Sequence, residues 1–408
     1  MALGGLSLAA VLGRIGGPEM LGMFTVMLSL LGALGMLARR GQGSLLTRAV
    51  AWAMHQDGPA SALTLLVLAV QRVVVASLLL GSVGSVLLWS GMFGEPYPGS
   101  IIALPFVLLM VTVLSVVAGY ARGSGRQWLA PVFEMGGISL VTVALLILLM
   151  AWGRPSSTIV LGIFLLAMLV LAGFSGILVR FDLPNGTKVL PPTDEQRGEL
   201  HRGQIEFTLI AVAGFLIQSG SFLLAAPFLS EADMGLLRAA ERLALLVSFP
   251  VLAIMPVFAP RIVCLARTGD HIGLKRVTTV AMMMCGGIGA PVLLVMMYWP
   301  ELALTLIGAE FVTAGNYLRV MALAQFVAAL LGPLAVILNL SGRETVSMWI
   351  NLGTLAYALA VIPLLSVAYG APGFAFAYSS VIIMRMVLIG VTSVFGTALR
   401  QRDKTVQK

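Results

Sequence analysis

Charge is what this sequence has least of. Only 10% of its 408 residues are Asp, Glu, Lys or Arg, against about a quarter in soluble globular domains. So few charges cannot cover a water-facing surface, which excludes a soluble fold. Cysteine is nearly missing too. Cys264 falls in a basic loop and Cys285 in an apolar run, so a disulfide framework is excluded and both read as inert filler. The three histidines, His55, His201 and His271, all fall between apolar runs and read as solvated. There is no glycine-rich phosphate loop, no metal-ligand spacing and no nucleophile motif, so neither enzyme, cofactor nor metal site is expected. A cleavable signal peptide is also missing. No basic residue precedes the first apolar run, Ala2 to Leu12, and no small-residue cleavage site follows it. That run is short for a span, which leaves an abbreviated first helix or a start inside a longer one.

What is there instead is apolar: 59% of the chain is hydrophobic. A spanning helix needs roughly 20 mainly apolar residues, and the runs fall at about 2–13, 20–38, 73–91, 100–119, 129–152, 157–179, 204–228, 235–258, 278–298, 316–339, 348–368 and 373–394. The 45 glycines and 19 prolines are spread through these runs, as membrane helices allow. The fold class expected is therefore all-α, a polytopic membrane protein of about twelve spans.

Most of the 25 Lys and Arg lie in one set of alternate loops and the C-terminal tail, from Arg39 and Arg40 to Arg402 and Lys404. The opposite loops hold only Arg14 and Arg154, together with Glu19, Glu95, Glu231, Asp233, Glu301 and Glu310. Positive-inside bias then places the basic loops and both termini in the cytoplasm, in an inner (plasma) membrane. The net charge of +8 follows from that bias, and no nucleic-acid partner is needed to explain it.

The chain also repeats itself. Pro18-Glu-Met-Leu-Gly22-Met-Phe24 opens the second span and Ala232-Asp-Met-Gly235-Leu-Leu237 the eighth. Gly125-Arg126 matches Gly342-Arg343, and Gly153 matches Gly370, at nearly the same offset. A shared offset implies a six-helix unit present twice, in parallel. The expected organisation is an N-terminal lobe 1–180, a cytoplasmic linker 181–203 with Asn185-Gly186 and Pro191-Pro192, a C-terminal lobe 204–394 and a tail 395–408.

Several segments resemble a known family. They are Gly235-Leu-Leu-Arg-Ala-Ala-Glu-Arg-Leu-Ala-Leu-Leu with Pro256-Val-Phe-Ala-Pro-Arg261, Leu338-Asn-Leu-Ser-Gly342-Arg, and Tyr369-Gly-Ala-Pro-Gly-Phe-Ala-Phe-Ala. Together with Gly13-Arg-Ile-Gly-Gly-Pro-Glu19, they are similar to the polysaccharide-exporting flippases of the MATE-like multidrug, oligosaccharidyl-lipid and polysaccharide (MOP) superfamily. The resemblance implies two six-helix lobes around a central cavity, working by alternating access. It implies as substrate an isoprenoid-diphosphate-linked glycan, carried across the bilayer for O-antigen, capsule or exopolysaccharide assembly. A polysaccharide polymerase or synthase complex is a candidate partner, alongside membrane lipid.

Charges inside spans are functional candidates, because charge at mid-bilayer costs several kcal/mol. Arg385 lies near mid-membrane in the last span. Arg238, Glu241 and Arg242, at i, i+3 and i+4, share one face of the eighth. Guanidinium grips diphosphate bidentately, which an ammonium does less well, so these residues form the candidate substrate site. Gln218 and Gln325, near mid-span, are candidates to reach sugar hydroxyls or to bridge helices. Arg319, near a span end, reads as an interfacial anchor. Two other functions stay open. A cation-coupled multidrug antiporter needs a deep carboxylate, and the first six spans hold only Glu134, near an end. A non-transporting scaffold for a synthase complex would leave the duplication unexplained.

Overall fold

The computed structural model describes residues 2–56, 58–91, 99–151, 153, 155–181, 208, 212–217, 219–268, 270–340 and 344–406. The regular elements there are helices: α1 (Ala2–Arg39), α2 (Gln42–Gln56), α3 (Pro59–Trp89), α4 (Ser100–Gly123), α5 (Met135–Met150), α6 (Ser157–Phe181), α7 (Gly220–Ala225), α8 (Glu231–Thr268), α9 (His271–Tyr298), α10 (Pro300–Thr305), α11 (Gly315–Leu340) and α12 (Glu344–Val406), with three short 3₁₀ turns between them. Among the described residues, seven helical stretches are long and apolar enough to cross a membrane. Two of these each hold two of the expected spans. Helix α1 breaks at Gly16 and Gly17, where Gly17 takes φ 66° and ψ −163°, and α12 breaks at Gly370, with φ 63° and ψ −141°. Only glycine enters that region cheaply. A proline follows each break, Pro18 or Pro372, and suits the first turn of a new helix. The seventh expected span, 204–228, is described at 208, 212–217 and 219–228.

Two boundaries differ from the sequence reading. The stretch before residue 73 is helical, because α2 buries a stripe of Leu45, Leu46, Ala49, Val50 and Ala53, packed against α3 and α4. That stripe is too short and too interrupted to read as a span. The fifth span starts at Met135 rather than 129, after a 3₁₀ turn at Ala130–Val132. Glu134, the residue just before α5, forms an ion pair with Arg122 at the end of α4.

The chain forms two compact units, Met1–Gly235 and Leu236–Lys408. The first takes in α7, which packs on α1, and the opening turn of α8. The expected linker lies outside the described residues beyond Phe181, and so does the Gly342-Arg343 landmark. In the first unit, helices approach over glycine. A Cβ on Gly4 would meet the Gly136 carbonyl and one on Gly81 the Pro105 backbone, each below 3 Å. In the second unit, Met255, Ile262, Val277 and Ala281 form one apolar cluster, and Leu338, Ile350 and Ile389 another.

One repeat landmark gains a physical reason. A Cβ on Gly22 would run into the Glu231 carbonyl oxygen, and a Cβ on Gly235 into that of Pro18. Each glycine thus faces the carbonyl four residues before the other, so α1 and the start of α8 cross symmetrically. Gly153 and Gly370, another landmark pair, both hold positive φ.

Candidate functional site

Helix α8 starts where its caps put it. The Ser230 hydroxyl accepts the Asp233 N–H at 3.1 Å and donates to Asp233 Oδ2 at 2.7 Å. Glu231 and Asp233 add negative charge in the first turn, where the helix dipole favours it. From Glu231, Arg238 lies about 10 Å and Arg242 about 16 Å along the axis, at 1.5 Å per residue. On α12, Tyr378 lies about 12 Å beyond the break at Gly370 by the same measure.

The structure brings these residues together. Arg238 is 5% exposed, Glu241 2% and Arg242 21%, so only the last reaches the surface of the unit to any extent. One carboxylate oxygen, Glu241 Oε2, lies 3.5 Å from Arg238 Nη1 and 3.5 Å from Arg242 Nε. The fully buried phenol of Tyr378 interacts with the same carboxylate. Two guanidiniums therefore lie against the same carboxylate oxygen inside an apolar unit.

Arg385 stands apart from that group along α12. It is seven residues beyond Tyr378, about two turns, and so on the same helix face. Its Nε is buried with no hydrogen-bond partner among the described residues. Asn351 Oδ1, Thr354 Oγ1 and Ser366 Oγ on the preceding arm of α12, and Ser379 Oγ beside Tyr378, are buried and unpartnered as well. Buried donors and acceptors are ordinarily satisfied, so this part of the second unit holds unmet polar capacity, one member of it cationic.

The remaining candidates divide. Gln325 is 4% exposed and accepts the Ser248 hydroxyl at 3.0 Å, which ties α11 to α8 as a helix bridge. Gln218 lies outside the described residues. Arg319 is engaged at its helix end: Nε donates to the Met297 carbonyl at 3.0 Å, Nη1 to Asn316 Oδ1 at 2.9 Å, and Nη2 lies 3.8 Å from Glu301. That is the bonding of an anchor.

Sequence reasoning missed Tyr378, because a tyrosine in an apolar run is ordinary. Its one signal was the spacing of seven from Arg385. It also missed Arg39, read as a loop residue. Its guanidinium donates from Nε to the Gly35 carbonyl at 3.0 Å and from Nη1 to Ser115 Oγ at 2.9 Å, closing the end of α1 onto α4.

No family model and no curated protein matches the sequence. Solved structures match its fold. An inward-facing multidrug-resistance MATE family transporter of the MOP superfamily matches with TM-score 0.74 at 15% identity, over 100% of this chain and 96% of that one. The lipid II flippase MurJ, inward closed, matches with TM-score 0.65 at 11% identity, over 95% of this chain and 84% of that one. A MOP superfamily transporter from Pyrococcus furiosus, whose pocket of reverse polarity suggests a different function for it, matches with TM-score 0.55 at 15% identity, over 100% and 92%. Identities this low carry the fold and nothing finer. The chain has the fold of the MOP-superfamily transporters, a multi-pass membrane architecture.

Proposed function

We propose that this chain is a flippase for an isoprenoid-diphosphate-linked oligosaccharide, working by alternating access in cell-surface polysaccharide assembly. The observation that carries the reading is the charge inside the second unit. Glu241 Oε2 lies 3.5 Å from both Arg238 and Arg242, and the buried Arg385 Nε has no hydrogen-bond partner among the described residues. The unengaged Nε of Arg385 in a low-dielectric setting favours an anionic ligand, and the planar donors of a guanidinium suit phosphate oxygens. That the same fold serves a lipid II flippase supports the reading. With the basic loops inside, an inside-negative potential assists export of such an anion by up to about 2.3 kcal/mol per charge per 100 mV. No ATP site is then required.

The test is reconstitution of the purified chain into vesicles with a labelled diphosphate-linked glycan and an outwardly favourable potential. Potential-dependent translocation that Arg385→Ala and Arg242→Ala reduce is expected. Transport no faster than in protein-free vesicles would overturn the proposal.

A second reading, a cation-coupled multidrug antiporter, draws support from the MATE transporters that share the fold. Such coupling needs an available deep carboxylate. Glu134 is paired with Arg122, and Glu241 sits between two guanidiniums. Overexpression in a drug-sensitive host decides: unchanged drug sensitivity removes this reading.

A further inference from the structure

Arg39 lies at the basic end of the first unit, and the transport reading makes no use of it. Its half-buried guanidinium donates to three neutral groups among the described residues. They are the Gly35 carbonyl at 3.0 Å from Nε, Ser115 Oγ at 2.9 Å from Nη1 and Met36 Sδ at 2.9 Å from Nη2. No carboxylate among the described residues pairs with it. Charges withdrawn from water are ordinarily paired, but the charge that reaches Arg39 is of its own sign. It is Arg122, close enough to repel it. Ser115, which holds Arg39, and Arg122 are seven residues apart on α4, so they share a face, about 10 Å apart along the axis. Arg122 is partly exposed and paired with Glu134. Two guanidiniums against one carboxylate leave this group one positive charge over. Helix α3 adds to the field. Ser85 donates to the Ile101 carbonyl and Ser77 Oγ lies 2.7 Å from Thr112 Oγ1, so α3 runs antiparallel to α4. Arg72, five residues before Ser77, then falls about 8 Å further toward the same end.

We infer that this end of the first unit binds the phosphate of an anionic phospholipid between Arg39 and Arg122. Both arginines stand at the ends of helical stretches long and apolar enough to cross a membrane, which is the depth of lipid headgroups. A guanidinium has five N–H donors, and three of those on Arg39 are bonded. One donor on each Nη is left for phosphate oxygens, and the three bonds already made fix the plane in which they point. The monoanionic phosphodiester matches the single positive charge left over. Basic pockets between membrane helices on the cytoplasmic side take lipid headgroups in this way, and the Lys and Arg bias of the loops assigns this end to the cytoplasm. Leu37, Val75 and Trp128 are exposed at the same end and offer acyl chains an apolar surface. A soluble phosphate gains nothing from that surface, so the occupant is a lipid. The inference rests on membrane placement alone and stands whatever the chain transports.

The experiment takes the full chain from nanodiscs of phosphatidylcholine with a minor fraction of phosphatidylglycerol, and counts retained lipid by native mass spectrometry. Wild type is expected to retain phosphatidylglycerol in preference to phosphatidylcholine. Arg39→Gln should lower that preference about fivefold or more. Glu134→Gln frees Arg122 of its carboxylate and should raise it. Arg180→Gln removes an exposed arginine at the end of α6 and should leave it unchanged. An unaltered preference in Arg39→Gln overturns the inference, and so does an equal loss in Arg180→Gln, which would make the attraction a diffuse one. Should Arg39→Gln fail to fold, Glu134→Gln decides: a preference that does not rise overturns the inference. Two competitors settle the source of the phosphate. Displacement of the retained lipid by soluble glycerol phosphate would make this a free-phosphate site. Displacement by equimolar farnesyl diphosphate would make it a site for isoprenoid diphosphates. Either result overturns the phospholipid assignment, and resistance to both supports it.

Discussion

The two compact units bury different kinds of polar group. In the first, the buried polar side chains among the described residues are hydroxyls, apart from Gln42. Many close on their own helix: Thr25 donates to the Leu21 carbonyl, Ser77 to Val73, Thr112 to Leu108 and Thr142 to Ile138, all at 2.6–2.8 Å. A hydroxyl so bonded behaves toward its neighbours as an apolar group. The second unit buries Arg238, Glu241, Gln325 and Asn351, and leaves Asn351 Oδ1, Thr354 Oγ1 and Arg385 Nε unpartnered. Among the described residues the first interior leaves the Ser29 and Ser100 hydroxyls without a partner, and the second leaves groups of Asn351, Thr354, Ser366, Ser379 and Arg385 so, one of them cationic. A buried cation without a partner among the described residues, Arg385, is available to bind something else, and it lies in the second unit.

The largest effect is expected where the two repeats are alike. Gly22→Leu or Gly235→Leu drives a side chain into a backbone carbonyl that cannot yield. Each should cost about 3 kcal/mol or more, the upper range for overpacking. Size-exclusion profile and thermal unfolding in detergent measure it, and a normally folded Gly235→Leu would remove the symmetric crossing. Next comes Arg385→Met. Replacing a buried charge that lacks a partner by an apolar side chain is neutral or stabilising, by about 1–3 kcal/mol. The melting temperature should hold or rise while transport falls. A drop in both would mean that Arg385 is a structural ion-pair member and would blur the contrast between the units. The smallest effect separates two buried threonines. Thr142→Val, in the first unit, loses a helix-closing bond and should cost up to about 1 kcal/mol. Thr354→Val, in the second, loses no protein bond and should be neutral or stabilising by a similar amount. Equal destabilisation of the two, read from unfolding curves, would contradict the distinction.

Much of the architecture was legible because hydropathy is a local signal. Runs of about 20 apolar residues predict spans wherever they occur, and among the described residues helices occupy the expected positions. The short α2 and the late start of α5 escaped because their apolar stripes or turns fall below that length. Of the site, the i, i+3, i+4 spacing placed Arg238, Glu241 and Arg242 on one face, as found. Gln325 was legible as a mid-span amide, but not its commitment to Ser248.

The sequence by itself determined an all-α, polytopic membrane chain with few charges, and it singled out the arginines inside the expected spans. Only the tertiary structure decided that Tyr378 joins the α8 cluster, that Gly22 and Gly235 face each other's helices, that Arg319 is fully engaged, and that Arg385 is not. In a bilayer, lipid-facing and helix-facing surfaces are equally apolar, so packing is chosen by close approach and hydrogen bonding rather than by hydrophobicity. Those choices depend on partners far away in the chain, and no local pattern records them.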